Sequence, residues 1–189
     1  MKRTFKFELQ KRIPALAWLM RVTDAEEVRV KHGKAVECHE DFFVAGVWAG
    51  EFSKGEIDSA PYVCCSGGCL RQMGGKSLTV ITPSHLQETV FSFKKDTELL
   101  FSNSLVWLIT EGGLELNENY YNYEADLCSV IFGEEKMHRQ LPLKGGMSVT
   151  MHRNCNIAVD TDFSERDEQE PPPSLCRLSG IHPLCALHS

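Results

Sequence analysis

Short strand-type segments dominate the first hundred residues, and they limit the chain to folds that are built on β-sheets. Their apolar residues alternate with polar ones or form short apolar runs, and turn residues such as His32-Gly33 separate them. Residues 90–93 and 99–101 flank a Lys-Lys-Asp turn and are predicted as a hairpin. The other predicted strands are residues 4–9, 28–31, 35–38, 42–48, 62–65 and 78–82.

Two helices are predicted after these strands. The first spans residues 105–111, because residues 102–104 offer N-capping side chains and Gly112-Gly113 supplies a stop. The second begins at the capping residue Asn117 and runs to about Phe132. Its apolar residues recur at spacings of three and four and form one stripe: Tyr120, Tyr123, Leu127, Val130 and Ile131.

The C-terminal part of the chain closes the predicted fold and then changes composition. Residues 147–151 and 156–159 are predicted as a closing hairpin, so that strands come first and helices later, which indicates an α+β fold. We predict one domain over residues 1–159. Acidic residues and three consecutive prolines then predict a linker over residues 160–173, and the tail, residues 174–189, is predicted to be disordered or truncated.

The charge balance excludes one class of partner. The 189 residues carry a net charge of −6, whereas binding to nucleic acid through its phosphates needs a basic face. No apolar run approaches the ~20 residues of a membrane-spanning helix. We therefore predict a globular domain that binds neither nucleic acid nor a membrane.

The N-terminal residues have some features of a signal peptide. Basic residues precede an apolar stretch over residues 13–20, and residues 15–17 fit a cleavage site. However, Phe5, Phe7 and Leu9 alternate with polar residues as in a half-buried strand, and the apolar stretch is short. We therefore predict a cytoplasmic protein whose eight cysteines are thiols.

Several motifs resemble nucleotide-binding or catalytic sites but lack essential parts. Residues 74–77 have the last letters of a phosphate-binding P-loop, yet a predicted strand follows where the P-loop needs a helix. Ser66 lacks the G-x-S-x-G frame of a nucleophile elbow. The histidines His85, His138 and His152 have no convincing nucleophile near them in the sequence. We therefore predict no catalytic residue and no cofactor-binding residue.

Two groups of cysteine and histidine residues are candidate zinc ligands. In the first, Cys64, Cys65 and Cys69 with Cys38-His39, the paired C-x2-C spacing is missing and neighbours on a strand point to opposite faces. Buried thiols are therefore favoured for this group. The second group lies in the tail and has suitable ligand types without a familiar spacing: Cys176, His182, Cys185 and His188. We predict no metal site, and zinc in the tail stays an alternative.

Residues 101–108 run from a strand through a turn of small residues into a helix, and this segment resembles the corresponding part of asparagine synthetases. The likeness extends over residues 42–159 and includes segments of divergent asparagine synthetase-like proteins from biosynthetic clusters. The other segments that carry it are residues 48–52, 62–70, 114–132 and 141–147.

The resemblance implies a glutaminase-like amino-terminal domain, an α+β layered sandwich of mostly antiparallel sheets with helices, of the Ntn-hydrolase, glutamine amidotransferase type. That family's glutaminase uses a cysteine exposed as the first residue, whereas Lys2 stands at position 2 here. Residues 84–87 stand where the family has an arginine-aspartate motif that helps to bind glutamine. Residues 66–70 match part of the family's ATP loop, S-G-G-x-D-S, but lack its Asp and Ser. ATP and magnesium are therefore implied only for a full-length parent.

Two functional hypotheses follow. In the first, the chain is a catalytically inactive, structural glutaminase-like domain of an asparagine synthetase-like, ATP-dependent amide ligase of amino-acid biosynthesis, or a truncated fragment of it. It would pack against a synthetase domain or partner chain and expose an apolar face when isolated. In the second, the chain is a stand-alone, non-enzymatic binding module whose Cys/His tail holds zinc or a protein partner. This hypothesis predicts stoichiometric zinc that is lost with the tail.

Overall fold

The computed structural model describes residues 3–71, 77–159 and 165–168, and β-strands dominate it. The strands, in chain order, are β1 (Thr4–Leu9), β2 (Trp18–Val22), β3 (Glu27–His32), β4 (Glu37–Cys38), β5 (Phe42–Trp48), β6 (Val63–Arg71), β7 (Ser77–Ile81), β8 (Val90–Lys95), β9 (Glu98–Ser102), β10 (Gln140–Pro142), β11 (Ser148–His152), β12 (Asn156–Val159) and β13 (Glu165–Glu168). The helices are α1 (Leu105–Gly112) and α2 (Tyr123–Cys128).

The strands form two sheets that pack face to face. The first sheet has the order β1-β3-β2-β9-β8-β11-β10, and the second has the order β13-β12-β7-β6-β5-β4. Neighbouring strands are antiparallel except β1 and β3, which are parallel. The ring of Phe43 on β5 lies 5.2 Å from that of Trp18 and 5.5 Å from that of Phe5, so the two sheets are in direct contact.

One apolar core fills the space between the sheets. Alternate side chains of a strand point to the same face, and in β3 this places Val28 and Val30 in the core while Arg29 stays exposed. The fully or almost fully buried residues of this core are Trp18, Met20, Val22, Val28, Val30, Val36, Phe43, Ala45, Leu78, Val80, Val90, Leu99, Phe101, Ile157 and Val159.

Each sheet also has an apolar cover on part of its outer face. Helix α1 places Leu108 in a cluster with Phe93 and Leu100 on the first sheet. The side chain of Ser104 accepts a hydrogen bond from the backbone N–H of Trp107 at the start of α1, and Gly113 ends the helix with a φ of 63°. The predicted cap and stop are confirmed.

The second sheet is covered by the loop between β5 and β6. This loop contains a 3-10 turn, Phe52–Lys54, and the rings of Phe52 and Trp48 lie 4.2 Å apart. Ile57 from the same loop is 1% exposed and packs with Val44 and Cys65. The cysteines of β6 therefore contribute to an apolar cluster on this outer face.

The predicted fold class, an α+β layered sandwich of the Ntn-hydrolase type, is wrong. Strands account for 42% of the described residues, and helices account for 17% when the 3-10 turns are included. The described residues contain two α-helices, of eight and six residues, so the fold is mostly β. No helix in this part of the chain has the length and apolarity that crossing a bilayer requires.

The second predicted helix is the main source of this error. Helix α2 covers only Tyr123–Cys128, and a 3-10 turn, Ser129–Phe132, follows it. The side chain of Asn117 accepts a hydrogen bond from the N–H of Asn119, which closes a local turn instead of capping a helix that starts there. Local side-chain hydrogen bonding therefore competed with helix formation at this end.

The predicted closing hairpin is also wrong. Strand β11 belongs to the first sheet, where it pairs with β8 and β10, whereas β12 belongs to the second sheet, where it pairs with β7 and β13. The chain crosses between the sheets at Arg153–Cys155, and Asn154 adopts a φ of 51° there. Both strands bury apolar residues. Their apolar pattern is therefore the same whether they pair with each other in a hairpin or lie in different sheets.

Two further segments differ from the sequence expectation. The apolar stretch at residues 13–20 contains the start of β2, in which Leu19 and Met20 are at most 1% exposed, because β2 lies between two strands and is covered on both faces. Four residues of the predicted linker, Glu165–Glu168, form β13 at the edge of the second sheet. The rest of residues 160–173 and the predicted tail, residues 174–189, lie outside the described residues.

Candidate functional site

The cysteines of β6 lie on opposite faces of the strand, as predicted. Cys65 and Cys69 are buried in the outer cluster, and burial raises the pKa of Cys65 to about 12. Cys64 points to the other side, where its Sγ donates to the Tyr62 hydroxyl at 3.2 Å. Burial raises the pKa of Cys38 to about 11, so this thiol also keeps its proton at neutral pH. Across residues 3–71, 77–159 and 165–168, no three His, Cys, Asp or Glu side chains are grouped closely enough to hold a metal ion.

The three histidines without a nucleophile in the sequence have separate environments. His152 lies between the sheets, with its Nε2 2.9 Å from Ser92 Oγ, and both residues are at most 3% exposed. This Ser–His pair is enclosed in the core, where a substrate has no access to it. His85 accepts a hydrogen bond from the N–H of Gln87 in the loop before β8. His138 lies beside α2 and contacts Asp126.

The remaining sequence motifs have structural explanations or lie outside the described residues. Ser66 is 1% exposed in the interior of β6, and Gly67 packs so closely on β5 that a Cβ would lie 2.1 Å from the carbonyl oxygen of Phe43. The Ser-Gly-Gly triplet is therefore a strand segment. The P-loop-like residues 74–76 lie outside the described residues, and Ser77 begins β7, which confirms the predicted strand there. The tail residues Cys176, His182, Cys185 and His188 also lie outside them.

A polar pocket of about 390 Å³ opens between the two sheets. Trp18 Nε1 donates to Ser66 Oγ at 2.9 Å beneath it, and this bond links the first sheet to the second. Asn103 holds the rim, because its Nδ2 donates to the carbonyl of Leu16 and its Oδ1 accepts from the N–H of Trp18, both at 2.9 Å. The pocket lining includes one charged side chain, Glu88. Of its polar side chains, Ser66 thus links the two sheets and Asn103 holds the chain that leads into β2.

A second depression, of about 420 Å³, lies on the charged half of the first sheet's outer face. Three ion pairs lie on this face: Arg21–Glu98 at 2.6 Å joins β2 to β9, Arg29–Glu27 at 2.8 Å lies within β3, and Lys31–Glu111 at 2.6 Å joins β3 to helix α1. The hydrogen bond from Lys31 lowers the pKa of Glu111. The charges balance pairwise, so this face has the character of a solvated surface rather than of a binding site.

A network of polar contacts holds α2 against the rest of the domain. The carboxylate of Asp126 is 5% exposed and accepts from the Tyr120 hydroxyl at 2.5 Å, and its other oxygen lies 3.0 Å from His138 Nδ1. The hydrogen bond to Asp126 raises the pKa of Tyr120, which stays a donor. From the first sheet, the guanidinium of Arg153 donates to Thr89 Oγ1 at 2.6 Å and to the carbonyl of Leu127 at 3.1 Å. These contacts hold helix α2 in place at several points, although the helix has only six residues.

Three large apolar side chains are exposed on either side of this fixed helix. Tyr121, Ile131 and Phe132 are 87%, 75% and 65% exposed, and we call them the α2 surface. Single exposed apolar residues are common on proteins, whereas these three fall within twelve residues of the chain and are among its most exposed large apolar side chains. The apolar spacing in the sequence placed Ile131 in a core stripe and did not predict this surface. A signal was present, because adjacent residues such as Ile131 and Phe132 cannot share one narrow helical stripe.

Comparison of the chain with protein-family models, with curated proteins and with solved structures finds no match.

Proposed function

We propose that the chain is a non-catalytic domain that docks onto a protein partner through the α2 surface. By the resemblance of residues 42–159, the partner is the synthetase domain of an asparagine synthetase-like amide ligase in the cytoplasm, and ATP and magnesium belong to that partner. The observation that carries the proposal is the exposure of Tyr121, Ile131 and Phe132 in the segments that flank helix α2, which is itself firmly held.

The area of the α2 surface supports a docking role. With about 200 Å² for each large side chain, the exposed fractions of 87%, 75% and 65% leave roughly 450 Å² of apolar area. The largest apolar patches on monomeric proteins have a similar size and are often functional. An apolar surface that stays in water lowers solubility and does not stabilise the fold. Burial of the same surface against a partner removes it from water, which is favourable.

The same area indicates how much additional contact a stable complex needs. At about 25 cal/mol per Å², complete burial of roughly 450 Å² contributes about 11 kcal/mol. Association itself costs between about 4 and more than 15 kcal/mol. A standard interface also buries about 800 Å² on each partner, so the α2 surface supplies about half of one. The complex therefore needs further contacts around the three apolar side chains.

Local contacts support a role without catalysis. In the loop that replaces the family's glutamine-binding motif, the Ser84 hydroxyl accepts from the N–H of Val63 at 3.1 Å, and His85 accepts from Gln87 at 3.3 Å. These side chains serve the local backbone.

Titration of the full chain with purified synthetase-type domains encoded in the source genome tests the proposal. We expect a 1:1 complex with one of them. The Phe132→Ser variant removes about 130 Å² of apolar contact, or about 3 kcal/mol, so Kd should rise more than 100-fold. The control is Val47→Ser on β5, since Val47 has the same exposure, 65%, but lies outside the α2 surface.

Two results would count against the proposal. One is binding to none of these domains; the other is equal weakening by Val47→Ser and Phe132→Ser. Stoichiometric zinc in the purified chain that disappears with residues 174–189 would favour the binding-module alternative instead.

A further inference from the structure

Acidic side chains without an ion pair to another described residue lie close in the sequence to the residues of the α2 surface, at a distance of three residues from Tyr121 or Phe132. Glu118, Glu124 and Glu135 are exposed, and none of them has an ion pair within the described part of the chain. Lys136 is the one exposed cation of the segment 118–136. This differs from the outer face of the first sheet, where Arg21, Arg29 and Lys31 each pair with a glutamate.

These carboxylates restrict what can cover the α2 surface. A purely apolar partner would strip water from them without replacing its hydrogen bonds, which is unfavourable. An acidic partner would add repulsion over a screening length of about 8 Å at physiological ionic strength. A surface with Lys or Arg side chains around an apolar centre provides both the additional contacts and opposite charge.

We propose that the partner surface that covers the α2 surface is apolar at its centre and basic at its edge, with Lys or Arg side chains opposite Glu118, Glu124 and Glu135. This inference rests on the proposed docking role and adds the chemistry of the partner. It also excludes a second copy of the same α2 surface as the occupant, because two such surfaces would bring their carboxylates together.

Two synthetic amphipathic helical peptides with the same Leu/Phe face provide the probe. One carries Lys on its polar face and the other carries Glu. Fluorescence anisotropy with the full chain gives Kd for each peptide at 50 and 300 mM NaCl. At low salt we expect the Lys peptide to bind at least about tenfold more tightly than the Glu peptide, and this preference should shrink at high salt.

Charge-neutralised variants locate the effect. The triple variant E118Q/E124Q/E135Q should lose the preference for the Lys peptide, and circular dichroism checks that its fold is unchanged. A matched variant with the same change in net charge, E26Q/E37Q/E40Q, alters exposed glutamates on other elements and should keep the preference.

The outcomes separate the two proposals. Equal Kd values for both peptides, with binding still weakened by Phe132→Ser, would overturn the basic edge and leave the docking role intact. Loss of the preference for the Lys peptide in both triple variants would also overturn the basic edge. The overall negative charge of the chain would then explain the preference, without a role for these three glutamates. If Phe132→Ser changes the Kd of neither peptide, the docking role is contradicted. The basic edge is then contradicted as well, because it depends on docking at the α2 surface.

Discussion

The hydrogen bond from Trp18 to Ser66 makes a specific prediction about how the two sheets are held together. Trp18 is 0% exposed and Ser66 is 1% exposed, so their 2.9 Å contact lies out of water. The Ser66→Ala variant removes the acceptor and leaves the indole N–H without a partner. An unsatisfied buried donor costs about 1–3 kcal/mol, more than the average net gain from a hydrogen bond.

We therefore expect Ser66→Ala to lower the free energy of unfolding by about 2 kcal/mol, which corresponds to about 4–8 °C in Tm for a chain of this size. The Trp18→Phe variant removes the donor and leaves a void, so it is destabilising on its own. In the Trp18→Phe background, Ser66→Ala should cost less than about 0.5 kcal/mol, because no indole N–H is left unpaired. The coupling free energy of this double-mutant cycle is thus expected to be about 1.5 kcal/mol.

Urea unfolding followed by far-UV circular dichroism measures all four proteins, since tryptophan fluorescence would change with Trp18 itself. Ser53→Ala serves as the control, because Ser53 is exposed and the change should stay within about 0.5 kcal/mol. Ser66 also lines the polar pocket, which gives water a route to the indole. A loss below about 0.5 kcal/mol in Ser66→Ala, or a coupling free energy near zero, would refute the reasoning and indicate that water replaces the hydroxyl.

Three further predictions concern backbone packing and the thiols. Gly67→Ala should cost about 3 kcal/mol or more in urea unfolding, because its Cβ would lie 2.1 Å from the Phe43 carbonyl oxygen; a loss under about 1 kcal/mol would show that β5 and β6 can separate. Since burial raises the pKa of Cys65 to about 12, the unfolded chain releases this proton first above pH 9, so the free energy of unfolding should fall between about pH 9 and pH 12. In Cys65→Ala, the free energy of unfolding should fall less steeply with pH over that range. An unchanged slope would contradict the assignment of this pH dependence to Cys65. At pH 8, mass spectrometry after thiol labelling should find the exposed Cys128 modified before Cys65, and the reverse order would contradict the burial of Cys65.

Some elements were predictable because their signals are local. Strands β1 and β5 match the predicted residues 4–9 and 42–48, and both follow from apolar patterning between turns. Helix α1 was predicted to within one residue, since Ser104 and Gly113 act on backbone groups within the same turn of chain. The second helix is shorter than predicted because Asn117 closes a local turn at one end and residues 129–132 form a 3-10 turn at the other.

The candidate docking surface was less accessible to sequence reasoning. A periodic pattern indicates which residues share a face, but it does not tell whether another part of the same chain covers that face. Tyr123 and Leu127 of the predicted stripe pack on the first sheet, whereas Tyr121 and Phe132 remain in water. The hypothesis of an exposed apolar face came from the resemblance to asparagine synthetases, and its position came from the tertiary structure.

The positions of most strands and the limits of α1 could be predicted because they depend on neighbouring residues, and the acidic character of the chain follows from its composition. The pairing of the strands and their division between two sheets depend instead on contacts between distant parts of the chain. Trp18 meets Ser66 at a separation of 48 residues and Asn103 at a separation of 85, and no local pattern specifies such contacts. They are selected by the joint burial of apolar side chains and the need to pair buried polar groups, which depend on the whole fold at once.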